Sequence, residues 1–149
     1  MESPPSRTGL LTTGPSDLDY VREDNMKHSE GFLKLVNDAK SRIREVSVDE
    51  TRQRLQSDNG VRLIDVREDN EWEAGHAAGS SHLGKGIIER DIEVAVPDKA
   101  TEVILYCGGG YRSALAADVL QQMGYRNVFS MAGGWKAWKD SDAPVENNK

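Results

Sequence analysis

Apolar and polar residues follow one another in short blocks, and the period within each block assigns it a conformation. From residue 29, SEGFLKLVNDAKSRIREV places Phe32, Val36, Ala39 and Ile43 at helical spacing, with Leu35 beside them. That stripe predicts an amphipathic helix of about three turns. In SVDETRQRLQSDNG, Ser47 and Glu50 have capping-box spacing and Asn59 with Gly60 forms a stop, so a second helix is expected between them. VRLIDV (61–66) is short and apolar, the pattern of a buried strand. The polar EDNEWEAG predicts a short helix. TEVILYC (101–107) is the strongest strand pattern, apolar from Val103 to Tyr106, as in a parallel strand covered on both faces. SALAADVLQQMG predicts a helix with Leu115, Val119 and Met123 along one side and Gly124 ending it. NVFSM (127–131) predicts a strand and GGWKAWKDS a last short helix. Strands alternating with helices predict an α/β fold, a central, mainly parallel sheet with helices on both faces.

A length of 149 residues suits one domain plus an extension. Residues 1–28, rich in Pro, Ser, Thr, Gly and charge, are expected to be a mobile tail. Residues 29–44 are expected to form a helical extension packed on the domain or a partner, 45–144 the domain, and 145–149 a polar tail. The net charge of −6 argues against general nucleic-acid affinity, which needs an excess of Lys and Arg. The N-terminus lacks the basic start and apolar stretch of a signal peptide. No run approaches the roughly 18 apolar residues of a membrane span. The single cysteine allows no internal disulfide, and a reducing cytoplasm is the default compartment.

That cysteine, Cys107, closes the strongest strand and is followed by Gly108, Gly109, Gly110, Tyr111 and Arg112, with a helix beginning near Arg112. In open α/β sheets, ligands sit beyond the carboxyl ends of strands. Glycines let a loop curl with its N–H groups inward, the first helical turn adds more free N–H groups, and Arg112 adds a guanidinium. The prediction is an anion cradle around the sulfur, suited to a thiolate or to a persulfide carried on it.

The segment VILYCGGGYRSALAADVLQQMGYRNVFSMAGGWKAW resembles the C-terminal half of a rhodanese (sulfurtransferase) domain. LIDVREDNEWEAGHAAGSSHL resembles the N-terminal half through Asp65-Val66-Arg67 and the spacing of Trp72 to His76. The likeness runs over about residues 45–144. It departs from the family pattern at Ala77, Ala78, Met131 and Ala137, positions expected to shape loops or packing. The resemblance implies a single-domain, rhodanese-like α/β fold and sulfane-sulfur transfer. The Cys107 thiolate would take sulfur from a small anionic donor such as thiosulfate and pass the persulfide to cyanide or a thiol. A protein sulfur partner is a further candidate, and no cofactor is implied.

Arg112, Gly108, Gly109, Gly110, Tyr111 and Ser113 are the expected substrate-binding residues. For Arg112, tying the loop to a carboxylate is the alternative; for Ser113, capping the helix; for Tyr111, plain packing. Asp65 and Arg67 are expected to brace the loop. Lys85 and Arg90 are candidates for added positive potential, and residues 84–96 for donor selectivity. His76 is expected to support its turn; His76 and His82 make no metal pattern with one cysteine, so no metal is expected. Glu71 and Glu73 read as ordinary helix carboxylates, and Trp135 and Trp138 as core anchors. The rivals are a non-catalytic binding or regulatory module and a cysteine phosphatase. Phosphatases of related fold use C-x5-R, whereas Cys107 and Arg112 are spaced C-x4-R.

Overall fold

The computed structural model describes residues 28–147. Apart from His28, the expected N-terminal tail lies outside them. Contacts divide the chain into residues 1–34 and 35–149. Helix α1 (Glu30–Lys40) runs across that division. At its start Ser29 Oγ accepts from Phe32 N–H at 3.2 Å, and the His28 and Phe32 rings lie 5.2 Å apart.

The second unit is built on a five-stranded sheet, β1 (Arg44–Val46), β6 (Asn127–Met131), β5 (Glu102–Tyr106), β2 (Arg62–Asp65) and β4 (Ser81–His82) in that spatial order, with every pair parallel. Side chains alternate across it. On β5, Val103 and Leu105, followed by Cys107, enter a core with Ile88 and Ile92 of α4 (Ile88–Ala95) and Ala116, Ala117 and Leu120 of α5 (Tyr111–Gln122). Ile104 and Tyr106 enter the opposite core, with Val48 of α2 (Val48–Ser57) and Trp138 of α6 (Gly134–Asp140). Helices therefore cover both faces of a parallel sheet, the architecture the sequence predicts. Two further short elements, α3 (Asp69–Ala74) and β3 (His76–Ala77), lie between β2 and β4. Among the described residues, no helix is long and apolar enough to cross a membrane.

Five details differ from the sequence reading. Helix α1 ends at Lys40, where Arg42 N–H turns back to Ala39 O at 2.9 Å, so Ile43 lies outside it and packs against the core from a loop. Arg44–Val46 instead pairs with Phe129–Met131, because edge hydrogen bonds to β6 outweigh continued helical periodicity. On α5 the buried side chains are Ser113, Ala114, Ala116, Ala117, Asp118 and Leu120, while Leu115, Val119 and Met123 are only partly covered. Small side chains on the core face let the helix backbone approach the sheet. Residues 84–96, read only as a selectivity segment, contain α4. Val145 and Glu146, read as tail, form β7 against β3.

Candidate functional site

Strand β5 carries Cys107 to the carboxyl edge of the sheet, 1% exposed. Gly110 follows in the left-handed region at φ 100°, and a Cβ there would lie 3.3 Å from Gly133 N. This turn starts α5 at Tyr111 and brings N–H groups onto the sulfur. Gly110 N–H donates to Cys107 Sγ at 3.2 Å and Ser113 N–H at 3.4 Å, and Ser113 Oγ lies 3.6 Å from Sγ. The thiol is buried, but the nitrogens around it face inward.

The loop's carbonyls are held by the start of α6. Cys107 O accepts from Trp135 N–H at 2.7 Å and Gly108 O from Lys136 N–H at 3.2 Å. This contact needs Gly134, whose φ is +56°. A Cβ there would collide with Cys107 O and lie 2.9 Å from both the carbonyl carbon and oxygen of Gly108. The two glycines of AGGW thus let the α6 backbone touch the cysteine loop directly.

Arg112, in the first turn of α5, ion-pairs with Glu71 of α3, Nη1 to Oε1 at 2.9 Å and Nη2 to Oε2 at 3.3 Å. Each side chain is about a third exposed. A Cβ on Gly108 would lie 3.0 Å from Arg112 Nη2, so the guanidinium folds across the loop. Burial pulls the guanidinium's pKa down, but Glu71 and the charge on Cys107 more than offset this and raise it. Partial burial pushes the Glu71 carboxyl up; the Arg112 hydrogen bond, the Glu68 N–H at 2.9 Å and the Arg67 charge leave it below the usual carboxylate range.

Asp65 and Arg67 form a buried ion pair, Arg67 Nη2 to Asp65 Oδ2 at 2.7 Å, and Arg67 also donates to Gly75 O at 2.7 Å. Their side-chain hydrogen bonds run to each other and to Gly75, not to the sulfur. Their link to the loop runs through Trp135: the Arg67 guanidinium sits 4.7 Å from its ring, and its N–H holds Cys107 O. Tyr111 is partly exposed, with Lys40 Nζ 5.3 Å from its ring, and Gly109 lies half-exposed in the loop. His76 accepts from or donates to nothing at the sulfur; its Nδ1 lies 3.0 Å from Trp72 O and its ring stacks on Trp72 at 3.4 Å. Arg90 is exposed and pairs with Asp91.

Ser113 does not cap α5 with its side chain. The cap position is Gly110, and the Ser113 hydroxyl turns into the protein, 2.8 Å from Ser130 Oγ. The sequence reading assigned two residues of this cluster no role at the loop. Glu71, read as an ordinary helix carboxylate, has capping-box spacing with Glu68, which signals the helix start but not the contact with Arg112. Ser130 is signalled only by being the polar residue inside an apolar strand.

The rhodanese-like domain family model matches residues 47–141. The chain belongs to this family. It is 32% identical over 87 residues to the thiosulfate sulfurtransferase GlpE of Coxiella burnetii, covering 58% of this chain and 79% of that protein. It is 30% identical over 98 residues to YrkF of Bacillus subtilis, covering 66% of this chain and only 52% of YrkF, so it spans about half of that relative's length. Among solved structures, a Rhodopseudomonas palustris protein, RPA3614, described as of unknown function and a possible tyrosine phosphatase, superposes with a TM-score of 0.72 at 29% identity, over 81% of this chain and 98% of that one. Members of this rhodanese-like family named sulfurtransferases thus stand among the relatives of the chain, and α1 and β1 lie outside the matched span.

Proposed function

We propose that the chain is a sulfurtransferase that moves sulfane sulfur through a persulfide on Cys107. The observation that carries the reading is the placement of the Gly110 and Ser113 N–H groups on one sulfur, with Arg112 folded across the same loop. In the first half-reaction the Cys107 thiolate attacks the outer sulfur of thiosulfate. A bond forms between Sγ and that sulfur, the sulfur–sulfur bond of the donor breaks, and its electron pair leaves on sulfite. In the second, cyanide or a thiolate attacks the outer sulfur of the persulfide, the new bond forms, and the Cys107 thiolate is regenerated. Donor, intermediate and leaving group are all anionic, so fixed N–H dipoles and one guanidinium favour each in turn without rearrangement.

The C-x4-R spacing supports sulfur transfer over phosphate chemistry, because a tetrahedral phosphate needs a wider ring of donors. The test is to incubate the protein with thiosulfate and measure its intact mass. A gain of one sulfur atom, lost on addition of cyanide and absent in Cys107→Ser, is expected. Hydrolysis of para-nitrophenyl phosphate that depends on Cys107 would assign a phosphatase instead, and refusal of sulfur from every donor would assign a binding module.

A further inference from the structure

Ser130 lies on β6, opposite Leu105 in the sheet register. Strand alternation sends its neighbours Phe129 and Met131 into the core beneath α6, while Val128 enters the core beneath α5. Ser130 therefore shares the face of Cys107, at a position where an aliphatic side chain would fill the core. It is fully buried, as is Ser113. A buried hydroxyl is costly unless it is hydrogen-bonded, and Ser130 Oγ bonds with Ser113 Oγ at 2.8 Å. Ser113 Oγ in turn lies 3.6 Å from Cys107 Sγ. Three groups thus form a line: Ser130, Ser113, Cys107.

We infer that Ser130 is a positioning residue for the Cys107 sulfur, acting through the Ser113 hydroxyl. The inference rests on the reading of Cys107 as the reactive nucleophile. A thiolate has no proton to give, so the Ser113 hydroxyl can add to the two N–H groups on the sulfur only as a donor. A serine inside the first turns of a helix has another use for its proton, a bond back to a carbonyl one turn earlier. When Ser130 O–H donates to Ser113 Oγ, that oxygen is satisfied as an acceptor and its own proton is directed to the sulfur. When the sulfur carries a proton, the line runs the other way: S–H donates to Ser113 Oγ, and Ser113 O–H to Ser130 Oγ. The two hydroxyls rotate with the charge on the sulfur and each keeps its own proton; the one proton gained or lost is the thiol's.

The test uses the reaction of Cys107, the chain's single cysteine, with iodoacetamide at neutral pH, followed by intact mass, which requires no sulfur donor. Ser130→Ala is expected to slow alkylation about three- to ten-fold, the effect of one modest hydrogen bond. Ser130→Thr, which keeps the hydroxyl, is expected to recover most of the rate. In a Ser113→Ala background, Ser130→Ala is expected to change the rate little further, which a general packing defect would not produce. Thermal unfolding of each variant monitors the fold. Equal rates in wild type and Ser130→Ala, including equal failure to react, overturn the inference. So does a Ser130→Ala effect undiminished without the Ser113 hydroxyl. If alkylation follows the expected pattern while thiosulfate adds no sulfur, the role of Ser130 stands and the donor reading falls.

Discussion

Arg112 and Glu71 stand 41 positions apart in sequence and meet through two nitrogen–oxygen contacts at 2.9 and 3.3 Å. The contact joins the helix that follows the cysteine to the short helix that follows β2. It gives Arg112 a fixed direction across the loop, where a free arginine would sweep through many rotamers. Glu71 is itself fixed, because its Oε1 accepts from the Glu68 N–H at 2.9 Å.

Glu71→Gln is therefore expected to loosen the guanidinium. The KM for thiosulfate should rise about three- to ten-fold, as for loss of one charge-assisted contact, with a smaller change in kcat. Steady-state kinetics on the purified variant provide the check. An unchanged KM would mean that Arg112 is aimed by something other than Glu71.

The same pair gives a pH dependence. The Glu71 carboxyl is held below its ordinary value of 4.5 in the folded chain. A carboxyl lowered on folding stabilises the fold above its unfolded pKa and loses that contribution as pH falls through its folded pKa. Wild type should exceed Glu71→Gln in unfolding free energy at neutral pH, by a modest margin given the exposure of the pair. The two curves should converge as pH drops below 4.5. Denaturant titrations at several pH values measure this, and a gap that persists in acid would assign the effect to packing.

Arg112→Lys should behave much like Arg112→Ala in sulfur transfer. A lysine keeps the charge but not the planar fork that spans two oxygens of Glu71 while lying across Gly108. Thiosulfate turnover should fall at least ten-fold in both, with a much smaller loss in thermal stability. Wild-type turnover in the lysine variant would reduce the role of Arg112 to simple charge.

The parts of this fold that could be read in advance are those whose signal is local. NVFSM and TEVILYC are largely apolar runs with few alternatives; the first is β6 and the second contains β5. Ser47 caps α2 as its spacing to Glu50 predicts, accepting from Glu50 N–H at 3.0 Å. The cysteine loop was legible because Gly110 and Ser113 are fixed in sequence relative to Cys107. Arg44–Val46 was not legible, since three residues at a sheet edge are decided by the partner strand and not by their own pattern. The Glu71–Arg112 and Ser113–Ser130 contacts join separate elements, and nothing in either local sequence states the other's position. The buried face of α5 was misread for a related reason. Its alanines look weaker than Leu115 and Val119, yet close approach to the sheet favours the smaller side chains.

Gly134→Ala should damage both loop and fold. The residue sits at φ +56°, and the added Cβ would meet Cys107 O and the carbonyl group of Gly108. Backbone cannot retreat as a side-chain tip can. A loss of about 2–4 kcal/mol in unfolding free energy is expected, with slower persulfide formation in the fraction that folds. Gly79→Ala provides the comparison: its φ is +84°, but nothing lies within 4 Å of its Cβ position. It should lose only the strain of the left-handed backbone, about 1–2 kcal/mol, and keep its sulfur-transfer rate.

Asp65 and Arg67 form the most deeply buried ion pair among the described residues, at 0% and 3% side-chain exposure, and breaking it should be costly. Asp65→Ala leaves the guanidinium without its counter-charge in a site of low polarity, and a loss of about 3–5 kcal/mol is expected. The same change removes the carboxylate that orients Arg67 against Trp135, whose N–H holds the Cys107 carbonyl. Replacing both residues with apolar side chains, as in Asp65→Leu with Arg67→Met, should be less harmful to stability than Asp65→Ala alone, since no charge remains unpaired. If the pair serves only stability, the double variant should carry sulfur as fast as wild type. If it also braces the loop through Trp135, the double variant should be stable and slow. Chemical unfolding and the rate of persulfide formation, measured on the same preparations, separate the two roles. A double variant less stable than Asp65→Ala would contradict the electrostatic account.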